Sequence, residues 1–184
     1  MLTVEDYLRT PDGERWELLN GELHCMEPAP LSKHQILTTN LFRLLFISCK
    51  DDVEMLPAPI DLYLSNNTVV QPDLIILTKS NYNVVTRRGV EGVPDIVVEI
   101  LSESSFKKDR KDKLVLYQIH QIPEYWIVDP DNKLLEQYVL HRDLGKYIVS
   151  NVYGSADIIC SPNIECIAFS MDELFGVLEK FNLD

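Results

Sequence analysis

GVPDIVVEILS, residues 92–102, reads as a buried strand that carries acids where such a strand normally has none. Ile96, Val97, Val98, Ile100 and Leu101 form the apolar, largely β-branched run of a strand covered on both faces. Asp95 and Glu99 interrupt it. Side chains alternate along a strand, so Asp95, Val97, Glu99 and Leu101 share one face. A lone carboxylate in an apolar sheet is costly unless it is paired or binds a cation. A second Pro-Asp pair, Pro72-Asp73, lies in the apolar run VVQPDLIIL, residues 69–77. Two acids on neighbouring strands would suit a hard divalent cation, which takes one or two carboxylates and fills its other positions with water and phosphate oxygens. Asp73 and Glu99 are therefore the candidate metal ligands, with Mg²⁺ or Mn²⁺ as the ion. Asp95 reads as the residue that opens the strand after Pro94.

Upstream, Thr3–Leu8 has the pattern of a short helix capped by Thr3. Pro11-Asp12-Gly13 marks a turn. Arg15–Leu19 and Glu22–Met26 flank Asn20-Gly21, a strong hairpin signal. Pro28-Ala29-Pro30 ends the second strand. A helix then runs from a Ser32 cap to about Cys49, with Leu37, Leu41, Leu44 and Leu45 at helical spacing. Val53–Leu64 and Val69–Leu77 each read as one strand, the first confined to an edge or a bulge by Pro57 and Pro59. Thr78–Glu91 reads as a mobile polar connection. Downstream, Ser102–Ser105 is a polar break and Asp109–His120 a helix. Strands follow at Glu124–Val128, Leu134–Leu140 and Tyr147–Val152. The tail holds apolar runs at Ile158–Cys160 and Ile164–Phe169, then a helix from about Met171 to Glu179 capped by Ser170. Helices packed on a mixed sheet follow from this order, an α/β or α+β class. The length, 184 residues, fits one domain over 1–184.

Bulk properties exclude several classes. No stretch approaches the ~20 apolar residues of a membrane span. No basic region followed by an apolar core opens the chain, so cytoplasmic residence is the expectation. The cysteines, Cys25, Cys49, Cys160 and Cys166, form no CxxC pair and read as reduced, mostly buried thiols. There is no P-loop, GxGxxG or GxSxG. The net charge of -12 argues against broad binding to phosphate backbones. It leaves two local basic segments, Arg87-Arg88 and Lys107–Lys113, as candidate DNA contacts.

Lys113 follows the Glu99 strand on a helix and could reach back over the sheet to offset charge at a phosphodiester. Its plainer reading is a solvated lysine in the run KKDRKDK. Glu22, leaving the hairpin turn, and His34, opening its helix, could approach the same site, or could be a solvated acid and a packed histidine. Tyr117 lies one turn after Lys113 and reads equally as a packed aromatic.

Taken together, ERWELLNGELHCMEPAPLSKH (14–34), VVQPDLIIL (69–77), GVPDIVVEILSESSFKKDRKDKLVLY (92–117) and IPEYWIVDP (122–130) resemble the Uma2 family over essentially the whole chain. Uma2 is a group of predicted endonucleases abundant in cyanobacteria and long known as a domain of unknown function. The family is placed in the PD-(D/E)xK nuclease superfamily. That resemblance implies a restriction-endonuclease-like mixed sheet flanked by helices, with an N-terminal hairpin and additional C-terminal strands. It implies a metal-dependent endonuclease acting on DNA phosphodiesters. Asp73 and Glu99 match the motif's acids, and Leu101 stands where the superfamily carries its lysine. Lys113 matches the lysine of the family's D-x-x-x-K-x-x-x-Y helix, with Asp109 and Tyr117 as its other members. Glu22 and His34 match the DGE-like turn and the histidine after it, with Asn20 in place of the usual Asp. The alternative is a catalytically silent nuclease-like fold used as a binding or oligomeric module, either a homodimer or the partner of another protein.

Overall fold

The computed structural model describes residues 1–11, 13–26, 31–102, 105 and 107–183. The Pro28–Pro30 break lies outside the described residues, as do Asp12 of the first turn and Glu103 and Ser104 of the Ser102–Ser105 break. The helices are α1 (Val4–Tyr7), α2 (Ser32–Cys49), α3 (Leu114–Ile119) and α4 (Met171–Phe175). The strands run β1 (Trp16–Leu19), β2 (Glu22–Cys25), β3 (Val53–Pro57), β4 (Leu62–Ser65), β5 (Thr68–Val70), β6 (Leu74–Thr78), β7 (Val90–Glu91), β8 (Ile96–Ile100), β9 (Glu124–Asp129), β10 (Leu134–His141), β11 (Lys146–Tyr153), β12 (Ile158–Cys160) and β13 (Ala168–Ser170). A six-stranded sheet has the order β11-β10-β9-β8-β6-β3. Only β8 and β9 are parallel in it. A five-stranded sheet has the order β2-β1-β5-β4-β7, and β12 pairs with β13. The mixed α+β class expected from the sequence is the one observed.

β8 is the centre of the larger sheet, and all five of its residues are buried. Its alternation sorts the two sides of the core. Ile96, Val98 and Ile100 pack with Leu37, Leu41 and Leu45 of α2 and with the C-terminal β12–β13 and α4. Val97 and Leu101 pack on the opposite side with Leu116 and Tyr117 of α3 and with Leu62, Val70 and Val90 of the smaller sheet. Tyr7, Leu18, Tyr63 and Val69 form a third cluster under α1. The Asn20-Gly21 turn holds both residues at positive φ (50° and 82°), as a two-residue hairpin requires. A Cβ on Gly21 would also run into the Met1 side chain.

Two expected strands are each cut in two, and this builds the site. Val53–Leu64 divides into β3 and β4, and Val69–Leu77 into β5 and β6. In both, one half belongs to the larger sheet and the other half to the smaller. Pro57, Pro59 and Pro72 lack the N–H that would continue a ladder. The chain changes sheets at these points. Asp73 sits in the second break, its carbonyl accepting from Ala58 N at 3.0 Å.

Other elements also differ from expectation. Thr78–Glu91 is ordered by a 3₁₀ turn at Lys79–Val84 and by β7, which lies parallel to β4. α2 begins at Ser32 after an extended Leu31, with no side-chain cap. The Asp109–His120 helix is a π-helical turn, Lys108–Lys113, followed by α3. Of Ile164–Phe169 only Ala168 and Phe169 enter a strand, β13. The last helix is α4 followed by a 3₁₀ turn at Leu178–Phe181, and Ser170 caps α4 by accepting from Glu173 N. Cys49 and Cys166 form a disulfide across 117 residues, contrary to the reduced thiols expected, and Cys25 and Cys160 are exposed. Nothing in their sequence spacing marks the pair. It arises because the last turn of α2 packs on the segment before β13. Among the described residues no helix is long and apolar enough to cross a membrane.

Candidate active site

β6 and β8 are antiparallel, with Leu74 opposite Val98, so Asp73 comes to stand beside Glu99. Asp73 Oδ2 accepts from Ile100 N at 2.7 Å and from His34 Nε2 at 3.0 Å. His34 lies in the first turn of α2, and Thr38 Oγ1 donates to its carbonyl at 2.9 Å. One carboxylate oxygen thus ties together β6, β8 and α2.

Glu99 points to the α3 side. Its Oε1 accepts from Lys113 Nζ and from Tyr117 OH, each at 2.7 Å. The π-helical turn puts Asp109 and Lys113 on the buried side and leaves Lys111 and Asp112 in solvent. π turns of this kind recur at functional sites. Lys113 Nζ also lies 3.3 Å from Glu17 Oε1 and 3.4 Å from Asp109 Oδ1. Only 4% of Lys113 is exposed, so the solvated-lysine reading does not hold.

Glu17 is the acid that sequence reasoning missed. It projects from β1 and is completely buried, accepting from Gln71 N at 3.2 Å and pairing with Lys108 as well as Lys113. Glu22, expected to approach the site, is not brought there. Its side chain is 83% exposed and lies 4.0 Å from His24. Both acids sit on the same face of one hairpin, since Glu17 pairs with His24 and Leu19 with Glu22. What separates them is that Glu17 lies on the inner strand β1, whereas Glu22 lies on the exposed edge strand β2. A signal for Glu17 was present: like Glu99, it interrupts an apolar run, WELL.

The cluster's electrostatics follow from burial opposed by pairing. Burial alone would raise Glu17, but Lys113 and Lys108 outweigh it and hold its pKa down at about 2. Burial dominates at Glu99 and pushes its pKa well above the ordinary carboxyl range, against the pull of Lys113. Asp109 is raised for the same reason. Burial would depress Lys113, yet Glu17, Glu99 and Asp109 together hold its ammonium well above an ordinary lysine. Lys113 is therefore a fixed positive charge, and Glu99 is the acid of the group that most readily keeps a proton.

Asp95 is placed elsewhere, accepting from Thr78 N at 2.7 Å and from Asn81 Nδ2 at 3.2 Å at the start of β8. Leu101 is a core residue beside Leu116 and Tyr117. Arg88 pairs with Glu91 and lies over the Tyr63 ring of the smaller sheet.

Asp73 and Glu99 each spend one oxygen on protein donors, and among the described residues the other oxygen of each accepts no hydrogen bond. That donor set fits an ion held by two carboxylates, with the remaining positions left to water and substrate. Among the described residues no group of three or more His, Cys, Asp or Glu could hold a metal ion.

None of the curated proteins compared matches the chain. A crystal structure of "a putative nuclease belonging to DUF820" from Anabaena variabilis ATCC 29413 superposes with a TM-score of 0.76 at 17% identity, covering 97% of this chain and 99% of that one. At that identity the likeness speaks for the fold. The model of the Uma2 family, described as "Putative restriction endonuclease", matches residues 4–167, which include Glu17, His34, Asp73, Glu99, Asp109, Lys113 and Tyr117. The chain belongs to the Uma2 family.

Proposed function

We propose that this protein is a metal-dependent endonuclease that hydrolyses DNA phosphodiester bonds. The observation that carries the reading is the convergence of Asp73 and Glu99 with the Lys113 ammonium, which is bonded to Glu99 at 2.7 Å. Asp73 and Glu99 would hold Mg²⁺ or Mn²⁺, which supplies Lewis acidity toward the phosphate and a water of lowered pKa. The chain's own residues do the rest. His34 and Ile100 N fix the rotamer of Asp73. Tyr117 and Lys113 fix that of Glu99. Lys113 is a permanent positive charge in buried surroundings, where it would offset negative charge developing on the phosphate. It takes over, from the helix, the role that a lysine at the Leu101 position would fill from the strand. Glu17 and Asp109 hold Lys113 in place.

The test is cleavage of supercoiled plasmid with Mg²⁺ or Mn²⁺ against an EDTA control. Wild type should nick and linearise the DNA only with the metal. Glu99→Gln should lose at least about a hundredfold in rate. Undiminished cleavage by that variant would remove Glu99 from the mechanism. Absence of cleavage by wild type with either ion would remove the enzymatic reading.

A further inference from the structure

Glu17, Glu99, Asp109 and Lys113 are sealed in the core, and Asp73 and His34 hold each other beside β8. Lys108 is different. It starts the π-helical turn, its side chain is 28% exposed, and its ammonium rests on the fully buried Glu17. When Lys108 turns away, Glu17 keeps Lys113 Nζ at 3.3 Å and Gln71 N at 3.2 Å on its other oxygen, so the buried carboxylate retains a charged partner. Lys108 is thus the one cation seen at the acid cluster that also reaches solvent, among the described residues. Lys107 and Lys111 flank it and are exposed, which makes this turn a local basic strip on a chain of net charge -12. A long, flexible ammonium that reaches water can exchange one oxyanion partner for another, the new charge-assisted bond to phosphate offsetting the bond lost at Glu17. Lys113 cannot do so, being enclosed by three carboxylates.

We propose that Lys108 is the phosphate contact of this site: its ammonium rests on Glu17 in the free protein and turns to a backbone phosphate oxygen of bound DNA, while Lys113 remains on Glu99. The proposal rests on the endonuclease reading and divides the two lysines by task. Lys108 binds and positions substrate, and Lys113 stays with the acids.

The experiment measures binding of a fluorescein-labelled 20-bp duplex in Ca²⁺ over a range of salt, for wild type, Lys108→Met, Lys108→Arg and the remote charge control Lys180→Met. Plasmid cleavage in Mg²⁺ is run in parallel. Lys108→Met should weaken binding about tenfold and lower the slope of log K against log salt by about one. Lys108→Arg should restore both, and Lys180→Met should change neither. Acetylation of wild-type lysines, read by mass spectrometry, gives a measurement that needs no variant: duplex should protect Lys108 and leave Lys180 reactive. If wild type cleaves but Lys108→Met binds with unchanged affinity and slope, the contact is overturned and the nuclease reading survives. Equal losses in Lys108→Met and Lys180→Met also overturn it, since the effect is then bulk charge. If the binding pattern holds but no protein cleaves, the contact stands and the catalytic reading falls. No binding by wild type at low salt overturns both.

Discussion

Replacing Lys113 with Met removes the ammonium from the centre of three buried carboxylates and leaves a side chain of similar length. Glu99 then keeps only Tyr117 as a donor, and Glu17 keeps Lys108 and Gln71 N. Asp109 Oδ1, which has no hydrogen bond among the described residues and lies 3.4 Å from the ammonium, loses that charge. Breaking a buried ion pair by deleting one partner costs about 3–5 kcal/mol. Proton uptake by Glu99, whose pKa burial already raises, limits the loss toward the lower figure. For a chain of this length a loss of about 3 kcal/mol lowers Tm by about 6–12 °C. The assay is urea unfolding followed by circular dichroism, run as a cycle with Glu99→Gln. Neutralising Glu99 in the Lys113→Met background should recover about 1–3 kcal/mol relative to additivity. The Lys113→Met penalty should also be smaller at pH 5 than at pH 8, because the orphaned acids take up protons. A Tm within about 2 °C of wild type, or strict additivity with Glu99→Gln, would refute the buried ion cluster and return Lys113 to a solvated helix face.

The Glu17 and Glu99 shifts have opposite signs in pH. Glu17 has its folded pKa depressed to about 2, so its contribution, about 3 kcal/mol, is present above its ordinary pKa and is lost as pH falls toward 2; Glu17→Gln should flatten that acid limb of stability against pH. Glu99 is raised, so its contribution is present at acid pH and declines as pH rises toward its folded pKa; Glu99→Gln should remove that decline. In plasmid cleavage Glu17→Gln should fall by at least about tenfold through misplacement of Lys113, with Glu22→Gln within about twofold of wild type. The Cys49–Cys166 bond closes a loop that spans 117 residues, and its loss should cost about 2–5 kcal/mol. Native alkylation without reductant should label Cys25 and Cys160 only, and unfolding after reduction should shift to lower urea.

Parts of the site could be read from single residues because one local rule covers them. An acid inside an apolar, β-branched run demands a partner, and that rule reaches Glu99 and Asp73 without any knowledge of the fold. Alternation then assigns Glu99 to the same side as Val97 and Leu101, where Tyr117 in fact packs. Lys113 needed a second step, the direction of the helix that follows β8. The Cys49–Cys166 pair was beyond reach for a different reason: it depends on how α2 meets a segment 117 residues away, and no local preference encodes that contact.

Glu17 shows where the rule was applied too narrowly. In WELL the interrupted run is short and ends in a hairpin turn, and hairpins commonly keep one face in water, so an acid there raises no alarm. What changes its meaning is the switch of the chain between sheets at Pro57–Pro59 and Pro72. That switch places β4 and β5 in the smaller sheet, β5 pairs with β1 at Leu18–Val69, and the face of β1 opposite Leu18 is closed over the cluster. The prolines therefore do more than break ladders. They release Asp73 from its strand and, by the same change of sheet, bring the smaller sheet across the α3 side of β8, so that an acid from a hairpin 82 residues before Glu99 shares its lysine. The two breaks meet in space, where Ala58 N donates to Asp73 O, so both changes of sheet occur at one point and the covering sheet carries β1 and Glu17 with it.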